Sequence, residues 1–378
     1  MNNFQYTFYR VTNNKTSNKF EDLFKEIKNQ IEIYERQYSL TINSYIKEWN
    51  HEKAKIDANY KKIKDDADRE YDEIVGDSTD DDTHQYAMHR SGVEAVHYNH
   101  IDATEEVEKE YMDFLDLYSK SIMIALYSLN ESRLNSIATV AADLFLKKIK
   151  LGHFSKKDYL NSVLNYLDLV VEINIEALEP HISKLKDIQV FRNKVVHTLS
   201  VIPDKEASQI IKKKNSSLSY DKDTETVKIV SSSYIKDFFT LLKGFYEDLA
   251  WLIDEKQDYE ILRNGFRHWL GILDRKLLIE DLVVTPSAKK KLITFKVVSP
   301  SDSFPDFNFK IGVSKAKVKA IDITPQIENE KINELITYEN SVSGYNIFEV
   351  LKPFNFDDSP QKLTVLIYDS GTDQVDKK

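Results

Sequence analysis

The chain has no cysteine among its 378 residues. That excludes a disulfide framework, a thiolate metal site and a cysteine nucleophile, and it suits a reducing compartment. Glycine is scarce as well, at nine residues. No Walker A loop, dinucleotide-binding glycine pattern, Gly-x-Ser-x-Gly elbow or zinc-finger spacing is found, so an ATPase and a serine hydrolase are not expected. No apolar run approaches the roughly 18 residues needed to span a bilayer. The longest, Ile122-Met123-Ile124-Ala125-Leu126-Tyr127, reads as a buried helix. The start, Met1-Asn2-Asn3-Phe4-Gln5-Tyr6, has no basic segment leading into an apolar one, so a signal peptide is not expected. These absences predict a soluble cytoplasmic protein with no membrane partner.

Charge of one sign dominates: 52 Lys and Arg against 62 Asp and Glu, a net −10. That argues against a general nucleic-acid coat protein but leaves room for a local basic cleft. Between Lys184 and Lys214 the balance reverses, with eight basic residues against three acidic ones. Lys194, Lys212, Lys213 and Lys214 in this stretch are candidate RNA contacts. The alternative for the last three is a solvated loop.

Residues 4–11 are aromatic and partly alternating and read as a strand that needs a sheet to join. Residues 17–75 read as one long helix. Phe20, Phe24, Ile27, Ile31, Tyr34, Tyr38 and Tyr45 form a heptad seam, with Thr41 filling a gap. After a stutter, Trp49, Ile56, Tyr60, Ile63, Ala67 and Ile74 continue it. An acidic turn at 77–83 reverses the chain into a second helix, which is weakened near Gly92 and strongly apolar from Tyr111 to Phe145. Further helices are expected over about 156–177, 180–200, 233–255 and 258–279. A small hairpin at 216–230 is expected to turn at Asp221–Thr224. After Pro286 the composition changes to alternating strands: Leu292–Val298, Phe307–Val313, Ala316–Ile323, Ile347–Leu351 and Leu363–Tyr368. The fold class is therefore mainly α with a C-terminal all-β domain. Three parts are expected: an N-terminal strand and long helical hairpin over 1–110, a helical bundle over 111–280, and a small β-sandwich-like domain over 286–370.

The stretch that carries chemistry is Arg192-Asn193-Lys194-Val195-Val196-His197. On a helix, Arg192 and His197 lie roughly one and a third turns apart, near one face. A permanently charged guanidinium beside a group that titrates near neutral pH suits the breaking of a phosphodiester. The motif resembles the R-x4-6-H signature of the HEPN superfamily, many of whose members are metal-independent ribonucleases and in which a polar residue, often Asn, follows the arginine. Leu126-Tyr127-Ser128-Leu129-Asn130-Glu131 is similar to the L-Y-S-x-x-E stretch in the first helix of some HEPN-like proteins. The resemblance covers about 150 residues, from 111 to 258.

The resemblance implies an endoribonuclease of the toxin or antiviral-defence type, without metal or cofactor, whose substrate is RNA because the 2′-hydroxyl is the nucleophile. His197 would be general base or acid, and Arg192 would hold the scissile phosphate. Asn193 would orient His197 or donate to the phosphate, and Glu131 would orient Arg192 or shift the titration of His197. It also implies a homodimer in which two motifs face one composite site. The rod and the β domain are the natural docking surfaces for a regulatory protein. The alternative is a non-catalytic HEPN-like dimerisation and interaction scaffold.

Three further patterns compete. Arg263-Asn264-Gly265-Phe266-Arg267-His268 repeats the spacing, but too few residues separate it from the first motif for a second bundle. Arg90 and His97 fit the loose pattern in acidic surroundings with a helix-weakening Gly92. His84, His89, His97 and His100 crowd near Asp80–Asp82, where a solvated hairpin tip is expected rather than a metal site.

Overall fold

The computed structural model describes residues 18–154, 158–198, 200–214, 217–271, 273–274, 276–286, 291–300, 305–314, 317–324 and 350. The expected strand at 4–11 lies outside them. Seven helices are described: α1 (Asn18–Val75), α2 (Asp81–Ser91), α3 (Val93–Leu144), α4 (Tyr159–Leu169), α5 (Glu179–Thr198), α6 (Asp204–Lys214) and α7 (Ser233–Leu270). Six strands accompany them: β1 (Leu218–Asp221), β2 (Thr226–Ile229), β3 (Leu278–Pro286), β4 (Lys291–Val298), β5 (Phe307–Ser314) and β6 (Lys317–Thr324). The chain is thus mainly α with a C-terminal β region. Its contacts divide into two compact units, Lys19–Leu249 and one containing Ala250–Lys378.

The α1 helix runs 58 residues because nothing in it breaks a helix: it holds neither proline nor glycine. Gly76 ends it at φ +52°. Asp80 then caps α2, its carboxylate accepting from the Thr83 N–H at 3.0 Å. Only Gly92, at φ +70°, separates α2 from α3. The return helix lies antiparallel to α1, joined by Tyr38 to Ser119 at 2.9 Å and by a Tyr45–Phe114 ring stack at 3.8 Å. Arg133 reaches back to Glu26 at 2.6 Å.

The hairpin has two regimes. Towards the bundle, Phe20, Ile27, Ile31, Tyr38 and Ile42 of α1 are buried; Ile42, rather than Thr41, fills the seam. Here the α7 helix completes the packing, with Phe239 beside Tyr38 and Lys243 paired to Glu35 at 2.6 Å. Farther out, two helices alone cannot bury much, and from 51 to 110 Ala67 and Ala87 are the only buried apolar residues. This distal stretch carries eight basic and eighteen acidic residues, an excess equal to the net charge of the whole chain. The boundary expected at 110 is therefore not a domain boundary, since α1 and α3 run through both arm and bundle core.

Tyr246 of α7 is buried and donates to the Asn130 side-chain oxygen at 2.8 Å. Tyr246→Phe would leave that acceptor unpaired. We expect a loss of about 1–3 kcal/mol, seen as a lower urea midpoint at unchanged m-value.

The second unit is a four-stranded antiparallel meander in the order β3-β4-β5-β6. Ile293, Phe295 and Val297 alternate with half-exposed residues along β4, and Phe307, Phe309 and Ile311 alternate with the exposed Asn308 and Lys310 along β5. The end of α7 covers this buried face: Phe266 meets Phe295 at 4.6 Å and Trp269 meets Phe309 at 5.6 Å. Among the described residues this is one sheet with a helix on it, not a sandwich. Val350 is helical, against the strand expected at Ile347–Leu351, and the strand expected at Leu363–Tyr368 lies outside the described residues. The expected break between helices near 256 is absent, the helix ends at Leu270 rather than near 279, and Leu278 and Ile279 open β3 instead.

Gly265 does not interrupt α7. A Cβ there would lie 2.9 Å from Val350 Cγ1. Gly265→Ala gains helix propensity of about 1 kcal/mol but overpacks that contact. We expect a net loss of about 1 kcal/mol, read as a lower thermal midpoint.

Candidate active site

The motif lies on α5, which holds Pro180 in its first turn. Ile182, Leu185, Ile188, Phe191 and Val195 are buried at helical spacing and hold α5 in the bundle, with Phe191 edge-on to Tyr234 at 5.9 Å. That stripe decides where the motif residues face. Arg192 flanks it and is half-buried, while His197 stands away from it and is exposed. Five residues at about 100° each turn the side-chain direction through about 140°. Arg192 and His197 therefore do not share a face, against the expectation from their spacing.

The last turn of α5 is fixed from outside. Ser200 is buried at φ +68°, and its N–H donates to the Lys194 carbonyl at 3.3 Å. The β1–β2 hairpin grips the segment that follows: Ile202 donates to the Glu225 carbonyl at 2.9 Å and Val227 to that of Ser200 at 3.2 Å. The hairpin is in turn tied to α3, where the Asp116 carboxylate accepts from the Ile229 N–H at 2.7 Å. His197 is thus referenced to α3 through a continuous set of hydrogen bonds.

The Arg192 guanidinium is held by neutral groups. Its Nη1 donates to Asn193 Oδ1 at 3.0 Å, and its carbon lies 5.7 Å from the Tyr127 ring centroid. A guanidinium only donates, so the Asn193 oxygen must face it. Asn193 therefore orients Arg192 rather than His197. Arg192 forms no ion pair among the described residues. Its Nε is buried without a partner, and the residue as a whole is half-buried.

Tyr127 is fully buried and its hydroxyl has no partner. Burial pushes its phenol far up, as do the carboxylates of Glu131 and Asp158, while Arg192 opposes the shift. Glu131 stands one turn along α3 from Tyr127, half-buried. Burial raises its carboxyl above the usual range and Arg192 pulls it back. Asp158 caps α4, accepting from the Asn161 N–H at 3.2 Å. Burial also raises Tyr159, with Glu131 adding to it. The structure thus brings Arg192, Asn193 and Glu131 together and adds Tyr127, Asp158 and Tyr159. The i, i+4 spacing of Tyr127 and Glu131 was the available signal for the tyrosine; Asp158 and Tyr159, distant in sequence, gave none.

Because the folded Glu131 carboxyl is raised, the fold is penalised when that group ionises. The penalty is full above the folded value and vanishes below the ordinary glutamate value of about 4.3. Glu131→Gln is therefore expected to raise the thermal midpoint at pH 7. The gain should close as pH falls through that ordinary range.

The lysines fare differently. Lys194 is paired to Glu206 of α6 at 2.6 Å, so it is not a free phosphate contact. Lys212, Lys213 and Lys214 end helix α6 instead of forming a loop, and their side chains lie outside the described ones. In the competing motif Arg263 is 4.0 Å from Glu260 and His268 is exposed. Two histidines of the hairpin are joined to its other helix or turn: His84 to Tyr71 at 2.7 Å and to the Ser78 carbonyl at 3.1 Å, and His100 to Asp57 at 2.9 Å. Among the described residues no group of three or more His, Asp or Glu could hold a metal ion. No described helix is long and apolar enough to cross a membrane.

No protein-family model, curated protein or solved structure matches the chain.

Proposed function

We propose that the chain is a metal-independent RNA-cleaving enzyme. More particularly, we read it as a HEPN-type endoribonuclease of the toxin or antiviral-defence kind, working in the cytoplasm. The observation that carries this reading is the state of Arg192. A half-buried guanidinium steadied by an amide and an aromatic ring, and in no ion pair among the described residues, suits an incoming phosphate. The exposed His197 supplies a proton-transfer group on the same helix.

In this reading His197 takes the proton from the RNA 2′-hydroxyl. The freed oxygen attacks the adjacent phosphorus, forming a bond there as the bond to the 5′-oxygen breaks. Because Arg192 and His197 of one chain face different ways, the composite site pairs His197 of one copy with Arg192 of a second copy, which stabilises the charge that gathers on the phosphoryl oxygens. The protonated histidine then returns its proton to the leaving 5′-oxygen. Val190 and Val196, exposed at 51% and 42% on α5, give such a copy apolar area to cover beside His197.

The test is cleavage of total RNA and tRNA by purified protein in EDTA, beside the same sequence as DNA. The expected products end in 2′,3′-cyclic phosphate and 5′-hydroxyl, and DNA is left intact. Cleavage of DNA, or RNA products ending in 3′-hydroxyl, would overturn the mechanism.

A further inference from the structure

Tyr127 pairs two features that the fold does not explain. Its hydroxyl is sealed in the core with no hydrogen-bond partner, although a phenylalanine would fill the same space without that cost. Its ring also lies beneath the Arg192 guanidinium, at 5.7 Å. Arg192 has few other holders. Asn193 fixes one of its three nitrogens, Nε is sealed without a partner, and Glu131 and Asp158 act on the site only through space. Among the described residues the ring is the aromatic face that the guanidinium lies over. A neutral aromatic face suits this role. It attracts and orients a guanidinium without neutralising it, whereas a carboxylate there would compete with an incoming phosphate.

We propose that Tyr127 is a positioning residue for Arg192, its ring the platform that holds the guanidinium in place for the phosphate of the RNA substrate. This rests on the nuclease reading above and deepens it. The platform is rigid because Tyr127 sits on the buried face of α3 between Met123, Leu126, Asn130 and Leu134, all themselves buried. A displaced guanidinium still binds an anion loosely but no longer meets the charge that develops in the transition state. The loss should therefore fall on kcat more than on KM. The hydroxyl makes no bond, so Tyr127→Phe should keep both the platform and the fold.

The experiment is a double-mutant cycle on the full chain: wild type, Tyr127→Leu, Arg192→Ala and the pair, with Tyr127→Phe beside them. Tyr127→Met replaces the leucine variant should that one not fold. RNA cleavage gives kcat and KM well below each thermal midpoint, and inorganic pyrophosphate, titrated calorimetrically, gives anion affinity without cleavage. We expect Tyr127→Leu to lower kcat by about tenfold or more, with a smaller change in KM. Tyr127→Phe should stay within about twofold of wild type, and Tyr127→Leu should add nothing in the Arg192→Ala background.

A leucine effect that persists at full size without Arg192 would mark a merely structural core residue and overturn the proposal. So would an unchanged kcat in Tyr127→Leu when wild type cleaves. Should wild type leave RNA intact, the nuclease reading falls and pyrophosphate decides the platform separately. Weakening by Arg192→Ala and Tyr127→Leu without additivity keeps it. Equal affinity in all variants, or no binding in any, rejects it.

Discussion

His197→Ala is expected to lower RNA cleavage by about 10²–10⁴-fold, the range associated with removing a general acid or base. The thermal midpoint should hardly move, because His197 is exposed. Exposed substitutions of this sort stay within about 0.5 kcal/mol. Activity and stability are thus separable at this position. Arg192→Ala should lose about 10²–10³-fold, as for a group that stabilises transition-state charge. Its stability effect should be small in either direction. The ring contact and the Asn193 bond are lost, yet so is a buried unpaired Nε. Arg192→Lys keeps the charge but not the planar fork and should recover little. Initial rates on one RNA, beside calorimetric midpoints, check all three. A His197→Ala protein that cleaves at the wild-type rate would sink the assignment of His197 and move the search to Glu131.

The legible parts of the fold were those set by local pattern over long stretches. The helix at 18–75 was plain because 58 residues without Gly or Pro, carrying a three-four seam, have no other use for their backbone. The β1–β2 turn was legible in Asp221, whose carboxylate accepts from the N–H groups of Asp223 and Thr224 at 3.0 and 3.3 Å. What failed depended on distant partners. The residues around 256–258 are polar enough to suggest a break, yet α7 continues to Leu270, where Phe266 and Trp269 are buried on the sheet. Helix α6 escaped notice because its lysine run reads as solvated loop; the buried Ala207 marks its packed side.

The candidate site was legible as a motif and illegible as a geometry. Spacing placed Arg192 and His197 together, but the buried stripe ending at Val195 turns them to different faces. Nor could spacing show that Glu206 occupies Lys194, since that contact depends on how the chain returns after Ser200. Net charge misled in a similar way. The whole excess of −10 lies within 51–110, which is the distal arm. Along α3 its nearest residue is about 25 Å from Tyr127, at ~1.5 Å per residue. That exceeds the Debye length of about 8 Å at physiological salt, so the arm does not set the potential that RNA meets at Arg192.

Phe309→Ala should destabilise the second unit by about 3–5 kcal/mol and leave the first intact. The phenylalanine is fully buried on β5, 5.1 Å from Phe295 across the ladder, 5.4 Å from Phe307 and 5.6 Å from Trp269. Alanine there opens a cavity that flanking aromatic rings cannot close without leaving their own contacts. A loss of that size is a large share of the 5–15 kcal/mol that holds a typical domain. The expected melting curve has two transitions in the wild type, because each unit has its own apolar core. In the variant the transition of the sheet falls by ten degrees or more, at about 4–8 °C per kcal/mol for a unit of this size. All residues assigned to RNA cleavage belong to Lys19–Leu249, so cleavage below the first transition should persist. The outcome also tests α7, which has residues in both units. If a single transition moves as a whole and cleavage is lost with it, α7 transmits the damage and the two units fold as one. If the sheet melts alone and cleavage continues, the second unit is dispensable for chemistry and its role is sought in regulation.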